Sequence, residues 1–270
     1  MSYQNIILEK SAGKAEVTLN RPDKLNALSF DTYRELIQAF EEIEKDMEIR
    51  VVVLKARGRA FCAGADLGDL ATTASAMQDF SPAKLGEMMG DMGSLSIDAY
   101  GAVENCSKPV IAAIHGLAVA GGLELIEACD FAIASEEARL GDQHANFGLV
   151  PGGGGTQRLP RLIGIRRAKE LLLTGDWISP QEAERIGLIN KVVPADKLDE
   201  AVEEMCQKFI NKSPSATKTM KRLVNEGMQM DLASGIELEA KAVFEHFRSE
   251  DFREGVRAFI EKRKPEFKGK

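Results

Sequence analysis

The chain has 270 residues, of which 44% are hydrophobic and 29% charged, and it carries a net charge of −7. That balance excludes a disordered or fibrous chain, and an excess of acid excludes a broad nucleic-acid-binding surface. At about 150 residues per domain the length allows one large domain or two smaller ones. The longest uncharged apolar stretch, Pro109 to Leu123, holds His115 and several glycines. It is shorter than the roughly 20 residues a membrane-spanning helix needs. The first residues, Met1 to Asn5, lack the basic start and apolar run of a secretory signal, so the expectation is a cytoplasmic chain. Cys62, Cys106, Cys129 and Cys206 are scattered, with neither CxxC spacing nor disulfide-scaffold density, and read as reduced thiols.

In chain order, Ala15, Val17 and Leu19 alternate at a period of two and predict a strand. Arg21 to Lys24 form a turn. Ser29 then caps a helix whose apolar face is Phe30, Tyr33, Leu36, Ile37, Phe40, Ile43 and Met47. The runs 51–54, 110–114 and 131–134 are too apolar for strands with one wet face and predict a parallel sheet covered on both sides. Residues 68–101 are rich in Ala, Ser, Gly and Met without a clean period and read as a mobile lid. Further on, Ser179 to Glu182 spell a capping box with Pro180 at the first helical position, and Gly187 can end that helix. The last third is helical. The fold class is therefore α/β, with a core unit over residues 1–195 and a helical region over 196–270.

Three segments hold candidate chemistry. Gly152 to Gly155 look like a phosphate cradle, but neither the Gly-Lys-Ser/Thr ending nor the third dinucleotide glycine follows, which leaves a tight turn before a helix. The run from His115 to Glu124 follows a strand and leads into a helix. If Gly121 and Gly122 open that helix, their amides lack intrahelical partners and face developing negative charge. Glu124 would then sit among Leu123, Leu125 and Ile126, where desolvation suits it to acid–base work, although an acid in a first helical turn is also a common surface charge. In the third segment, Phe61 to Asp66, small residues leave backbone amides accessible, against the plainer reading of a strand-to-loop turn with Asp66 as a cap. Cys62 lacks any recognisable partner base, so it reads as a small core hydrophobe.

Taken together, Arg21 to Leu28, Phe61 to Asp66, His115 to Glu124, Pro151 to Leu159 and the C-terminal Arg253-Glu254-Gly255 with Ala258 to Arg263 resemble the crotonase, or enoyl-CoA hydratase/isomerase, family over almost the whole chain. The resemblance implies a superhelix of ββα units with a C-terminal helical trimerisation region, assembling as a homotrimer or a dimer of trimers. It also implies an acyl-CoA thioester as substrate and no cofactor beyond the CoA that the substrate carries. By position, Ala65 and Gly121 correspond to the amides that bind the thioester oxygen and Glu124 to an acid–base residue. Lys24, Leu25 and Ala27 correspond to a CoA-binding loop, and Phe259 and Lys262 to a C-terminal helix that touches CoA, often from a neighbouring subunit.

One position departs from the pattern. Where hydratases resembling this chain carry a second glutamate, the segment Gly141 to Gly148 has His144. A histidine donates or accepts a proton near neutral pH, but it equally suits a hydrogen-bonded pocket lining, with Asp142 and Asn146 near enough in sequence to orient it. The readings that follow are hydration of a 2-enoyl-CoA by Glu124 with His144, and double-bond isomerisation by Glu124 alone. Thioester hydrolysis, ring cleavage and a non-catalytic CoA- or RNA-binding scaffold stand further off. No metal-ligand spacing joins His115, His144 and His246.

Overall fold

A computed structural model describes the protein over residues 3–69, 71 and 95–270. Three successive strand pairs organise it: β3 (Val51–Ala56) with β4 (Ala60–Cys62), β5 (Val110–Ile114) with β6 (Leu117–Val119), and β7 (Phe131–Ser135) with β8 (Arg139–Gly141). In each pair the first strand joins one sheet and the second joins another. The larger sheet runs β1-β2-β3-β5-β7-β10 and the smaller β4-β6-β8-β9, where β1 is Ile6–Ser11, β2 Lys14–Leu19, β9 Trp177–Ile178 and β10 Lys191–Val193. Among the named strands of the described residues, β1 with β2 and β8 with β9 pair antiparallel and the other pairs are parallel. A helix follows each pair before the chain returns to start the next, so the repeat winds as ββα turns.

The β-branched runs are strands covered on both faces, as their lack of alternation predicts. Val52, Leu54, Val110, Ala112, Ile114, Ala132 and Ala134 point into the main core. Their neighbours Val51, Val53, Ile111, Ala113 and Ile133 face Leu198, Ala201, Val202 and Cys206 of helix α7 (Leu198–Ile210). Each such Val, Ile or Leu withdrawn from water contributes about 1.5–3 kcal/mol. Helix α1 (Phe30–Lys45) begins where Ser29 accepts the Thr32 amide, and it buries Tyr33, Leu36, Phe40 and Ile43. Met47 lies beyond its end and is exposed, so it does not belong to the buried face.

Helix α2 (95–104) precedes β5, and α3 (Gly121–Glu127) follows β6. Then come α4 (Gly155–Ile163), α5 (Ile165–Thr174) and α6 (Pro180–Arg185). Ser179 caps α6 through the Glu182 amide, but the Glu182 carboxylate turns to Arg185 and Arg167 instead of closing a capping box. Helices α8 (Pro214–Gly227), α9 (Leu232–His246) and α10 (Glu250–Glu261) end the chain. The segment read as a lid lies outside the described residues except at 68, 69, 71 and 95–101. Among the described residues no helix is long and apolar enough to cross a membrane.

Candidate active site

In the smaller sheet β4, β6 and β8 are parallel neighbours, so their carboxyl ends share one edge, the place where open α/β sheets bind ligands. From those ends emerge Ala63 to Ala65, Ala120 to Glu124, and Asp142 to His144. Topology alone therefore gathers three segments that lie up to about eighty positions apart in the chain.

The first two segments present a pair of free amides. Leu28 donates to the Gly64 carbonyl at 2.8 Å and accepts from the Asp66 amide at 3.0 Å, and this parallel bridge turns the Ala65 N–H to the opposite side. Gly121 opens α3, so its N–H has no intrahelical partner. Among the described residues neither amide has an acceptor. The two backbones nearly touch: a Cβ on Gly121 would stand 3.4 Å from the Ala65 nitrogen, and one on Gly64 would stand 3.3 Å from the Gly121 nitrogen. Ahead of Gly121, Ala120 is held at φ 50° and ψ −121°, a conformation L-residues rarely adopt.

Glu124 is 3% exposed, and its Oε1 accepts the Gly153 and Gly155 amides at 2.8 and 2.9 Å. Burial pushes its carboxyl above the ordinary range, against the two amides and the nearby His144 that favour the anion. Oε2 accepts no hydrogen bond from the described residues and is not sealed from solvent, which leaves it able to accept a proton. The glycine run that sequence reads as a plain turn thus does cradle an anion, the protein's own carboxylate. Gly154 makes this geometry by taking φ +107° as the cap of α4.

His144 is also buried, and its Nδ1 lies 3.0 Å from Asp142 Oδ2, while its own amide donates to Asp142 Oδ1 at 3.3 Å. A carboxylate partner at Nδ1 means that nitrogen carries a proton, which leaves Nε2 as the reactive atom. Burial opposes the imidazolium, but the bond to Asp142, its charge and that of Glu124 outweigh it, so the His144 pKa is raised. Asn146 instead donates to Gly175 and Gln143.

Two further side chains reach this region without having been legible as site residues. Tyr100, fully buried on α2, donates its hydroxyl to the Gly121 carbonyl at 2.9 Å. Glu127, one helical turn after Glu124, is 7% exposed, and its Oε2 is sealed from solvent with no hydrogen-bond partner. The only hint of Glu127 in the sequence is an acid inside the apolar run 123–129. Cys62 is buried with its thiol pushed up to about 12 by desolvation, which fits the reading as a core residue.

The loop holding Lys24, Leu25 and Ala27 is pinned beside the free amides. Leu25 O accepts the Ala63 amide at 3.0 Å, and Asn26 Nδ2 donates to the carbonyls of Arg57 and Ala60. Lys24 is exposed and Leu25 half-buried at φ 52°. Phe259, 86% exposed, and Lys262 lie at the end of α10, and among the described residues no hydrogen bond, ion pair or ring contact joins them to that loop. No group of three His, Cys, Asp or Glu among the described residues is arranged to hold a metal ion.

Comparison with known proteins decides the family. The enoyl-CoA hydratase/isomerase family model matches residues 9–270. The chain belongs to the enoyl-CoA hydratase/isomerase, or crotonase, family. It is 41% identical to a short-chain-enoyl-CoA hydratase of Clostridium acetobutylicum over 98% of both chains. It is also 40% identical to a crotonyl-CoA hydratase of Syntrophomonas wolfei over 99% of both. A crystal structure of an enoyl-CoA hydratase from Bacillus anthracis superposes with a TM-score of 0.89 at 39% identity, covering 99% of this chain and 100% of that one. The crotonase fold expected from the sequence is therefore the observed one, its ββα turns followed by the helical region α8 to α10.

Proposed function

We propose that this crotonase-family chain hydrates 2-enoyl-CoA thioesters and catalyses the reverse dehydration. One observation carries the reading: the unpaired amides of Ala65 and Gly121 lie on closely packed backbone, with Gly121 within one helical turn of a buried Glu124 whose Oε1 is fixed by Gly153 and Gly155. In the hydration direction the amides bind the thioester oxygen. Glu124 Oε2 takes a proton from water as the hydroxyl adds at Cβ, and the electron pair of the double bond moves to the thioester as an enolate. The imidazolium Nε2–H of His144, held by Asp142, then protonates Cα, and a proton passing from Glu124 to His144 resets the pair. Each oxyanion donor of this kind lowers the barrier by roughly 3 kcal/mol.

The relatives' names support the reading, one being a short-chain-enoyl-CoA and another a crotonyl-CoA hydratase. In it Lys24, Leu25 and Ala27 line the CoA path, and Phe259 and Lys262 reach CoA only across a boundary between copies. The exposed apolar residues Leu232, Ile236, Phe244 and Ile260 on α9 and α10 suit such a boundary, in a homotrimer or dimer of trimers. The reaction needs no cofactor besides the CoA of the substrate. Loss of enoyl-thioester absorbance on incubation with crotonyl-CoA and longer 2-enoyl-CoAs is the test. If none of them is hydrated while a 3-enoyl-CoA is converted to the 2-enoyl form, isomerisation by Glu124 alone replaces this function.

A further inference from the structure

The oxyanion amide of Gly121 sits on the residue type with the least steric control over its own direction. Upstream it is steered by the Ala120 conformation and by the Ala120 amide, which donates to the Gly141 carbonyl at 3.1 Å. Downstream it is steered by a side chain. Tyr100 gives its single hydroxyl proton to the Gly121 carbonyl at 2.9 Å, so in the 3.3 Å contact between the Tyr33 and Tyr100 hydroxyls the proton comes from Tyr33. The two rings meet edge-on with centroids 5.8 Å apart, and both side chains are buried. The Tyr100 ring also presses on Gly153, where any Cβ would collide with it, and a Cβ on Gly121 would come within 2.9 Å of its hydroxyl. A single side chain therefore touches both the glycine that offers the oxyanion amide and the glycine whose amide holds Glu124 Oε1.

We infer that Tyr100, backed by Tyr33, is a positioning residue that aims the Gly121 amide at the thioester oxygen and keeps it in register with Glu124. This rests on the hydratase reading for its kinetics but not for its spectroscopy. The ring sets the distance to Gly153 by packing. The hydroxyl fixes the Gly121–Gly122 peptide, so that Gly121 cannot rotate as charge builds on the substrate oxygen. Tyr33 polarises that hydroxyl, and its own effect is second-hand.

The experiment uses the full chain and two conservative variants, Tyr100→Phe and Tyr33→Phe, each checked for an unchanged circular-dichroism spectrum. Removing one neutral buried hydrogen bond that holds the oxyanion amide in place lowers kcat about 10-fold for Tyr100→Phe and about 3-fold for Tyr33→Phe, with KM for crotonyl-CoA within about 3-fold. The deciding readout is the absorbance of a bound aryl-enoyl-CoA chromophore, whose red shift reports polarisation of the thioester carbonyl. Tyr100→Phe loses part of that shift and Tyr33→Phe a smaller part. A folded Tyr100→Phe with the full shift and full kcat overturns the inference. If Tyr100→Phe does not fold, an undiminished shift in Tyr33→Phe overturns it. A parent enzyme that shifts the chromophore but hydrates no enoyl-CoA sinks the hydratase reading, and the two variants still decide the role of Tyr100.

Discussion

The two ends of α3 each bury a glutamate, and the two residues meet opposite surroundings. At the amino end, Glu124 shares its turn with the free Gly121 amide, and two backbone amides from another loop hold one of its oxygens. At the carboxyl end, Glu127 has a sealed oxygen without a partner, and the helix dipole opposes its charge. Arg158, the cation nearest in influence, is engaged by Glu104 and the Gly153 carbonyl. Under the proposed mechanism, burial of a carboxyl does not by itself make a working acid. What separates the two ends is a second element supplying amides to one of them. Glu124→Gln keeps the shape and both amide contacts while removing the base, and it should lower kcat for crotonyl-CoA hydration by about 10²–10⁴-fold with a near-native melting temperature. Full activity in that variant would leave the amino end no more catalytic than the carboxyl end.

The next largest effect lies across the site. Both His144 and Glu124 have raised pKa values, for different reasons: Asp142 stabilises the imidazolium, whereas desolvation disfavours the Glu124 anion. The mechanism proposed above requires Glu124 ionised and His144 charged. The rate should therefore fall as pH drops through a Glu124 value above 4.5, and fall again as pH rises through a His144 value above 6.5. His144→Ala should cost about 10–100-fold in kcat and abolish the alkaline limb, and Asp142→Asn should move that limb to lower pH. The raised His144 value also stabilises the fold below pH about 6.5, a contribution lost as pH rises through the folded-state value. An alkaline limb unmoved by Asp142→Asn would reduce His144 to a lining residue.

Much of this was legible in the chain. Period-two alternation and continuous apolar runs marked β2, β3, β5 and β7, and Ser29 and Ser179 marked two helix starts, because these signals are local. The segments carrying Ala65, Gly121 and Glu124 stood out through small residues after strands and through the family pattern. Partnerships across the sequence did not. Nothing near Gly153 and Gly155 says that their amides serve a carboxylate about thirty positions earlier, because only the stacking of β4, β6 and β8 sets that distance. Tyr100 was likewise hidden in a stretch without periodicity, and its role depends on Gly121 and Gly153 having no side chains.

The carboxyl end of α3 offers a test by repair. Burial, with Glu124 and Asp142 adding repulsion, raises the Glu127 pKa well above its usual value. The folded protein thus binds a proton there that the unfolded chain releases, and stability falls as pH climbs from the ordinary carboxylate range toward the folded-state value. Glu127→Met should flatten that decline and add about 1–3 kcal/mol, read as a higher melting temperature, with the gain larger at pH 8 than at pH 5. A loss of stability at both pH values would mean that Glu127 has a favourable contact.

The smallest effect is expected just before the amino end, at Ala120. Its φ of 50° with ψ of −121° stores strain of about 1–3 kcal/mol, the kind that persists where surrounding contacts over-determine the backbone. Here the visible restraint is the Ala120 amide on the Gly141 carbonyl, while the missing side chain at Gly64 leaves room for the Ala120 methyl. Ala120→Gly releases the strain but gives the unfolded chain more freedom, worth about 0.4–1 kcal/mol in the opposite sense. The net expectation is a gain of about 1 kcal/mol in denaturant unfolding. That gain should come with a kcat lowered about 2- to 3-fold, because a second flexible residue beside Gly121 loosens the amide that must already be aimed when charge develops. A destabilised Ala120→Gly would show that the alanine methyl packs well enough to outweigh its own strain, and the amino end of α3 would then owe its geometry to packing more than to hydrogen bonds.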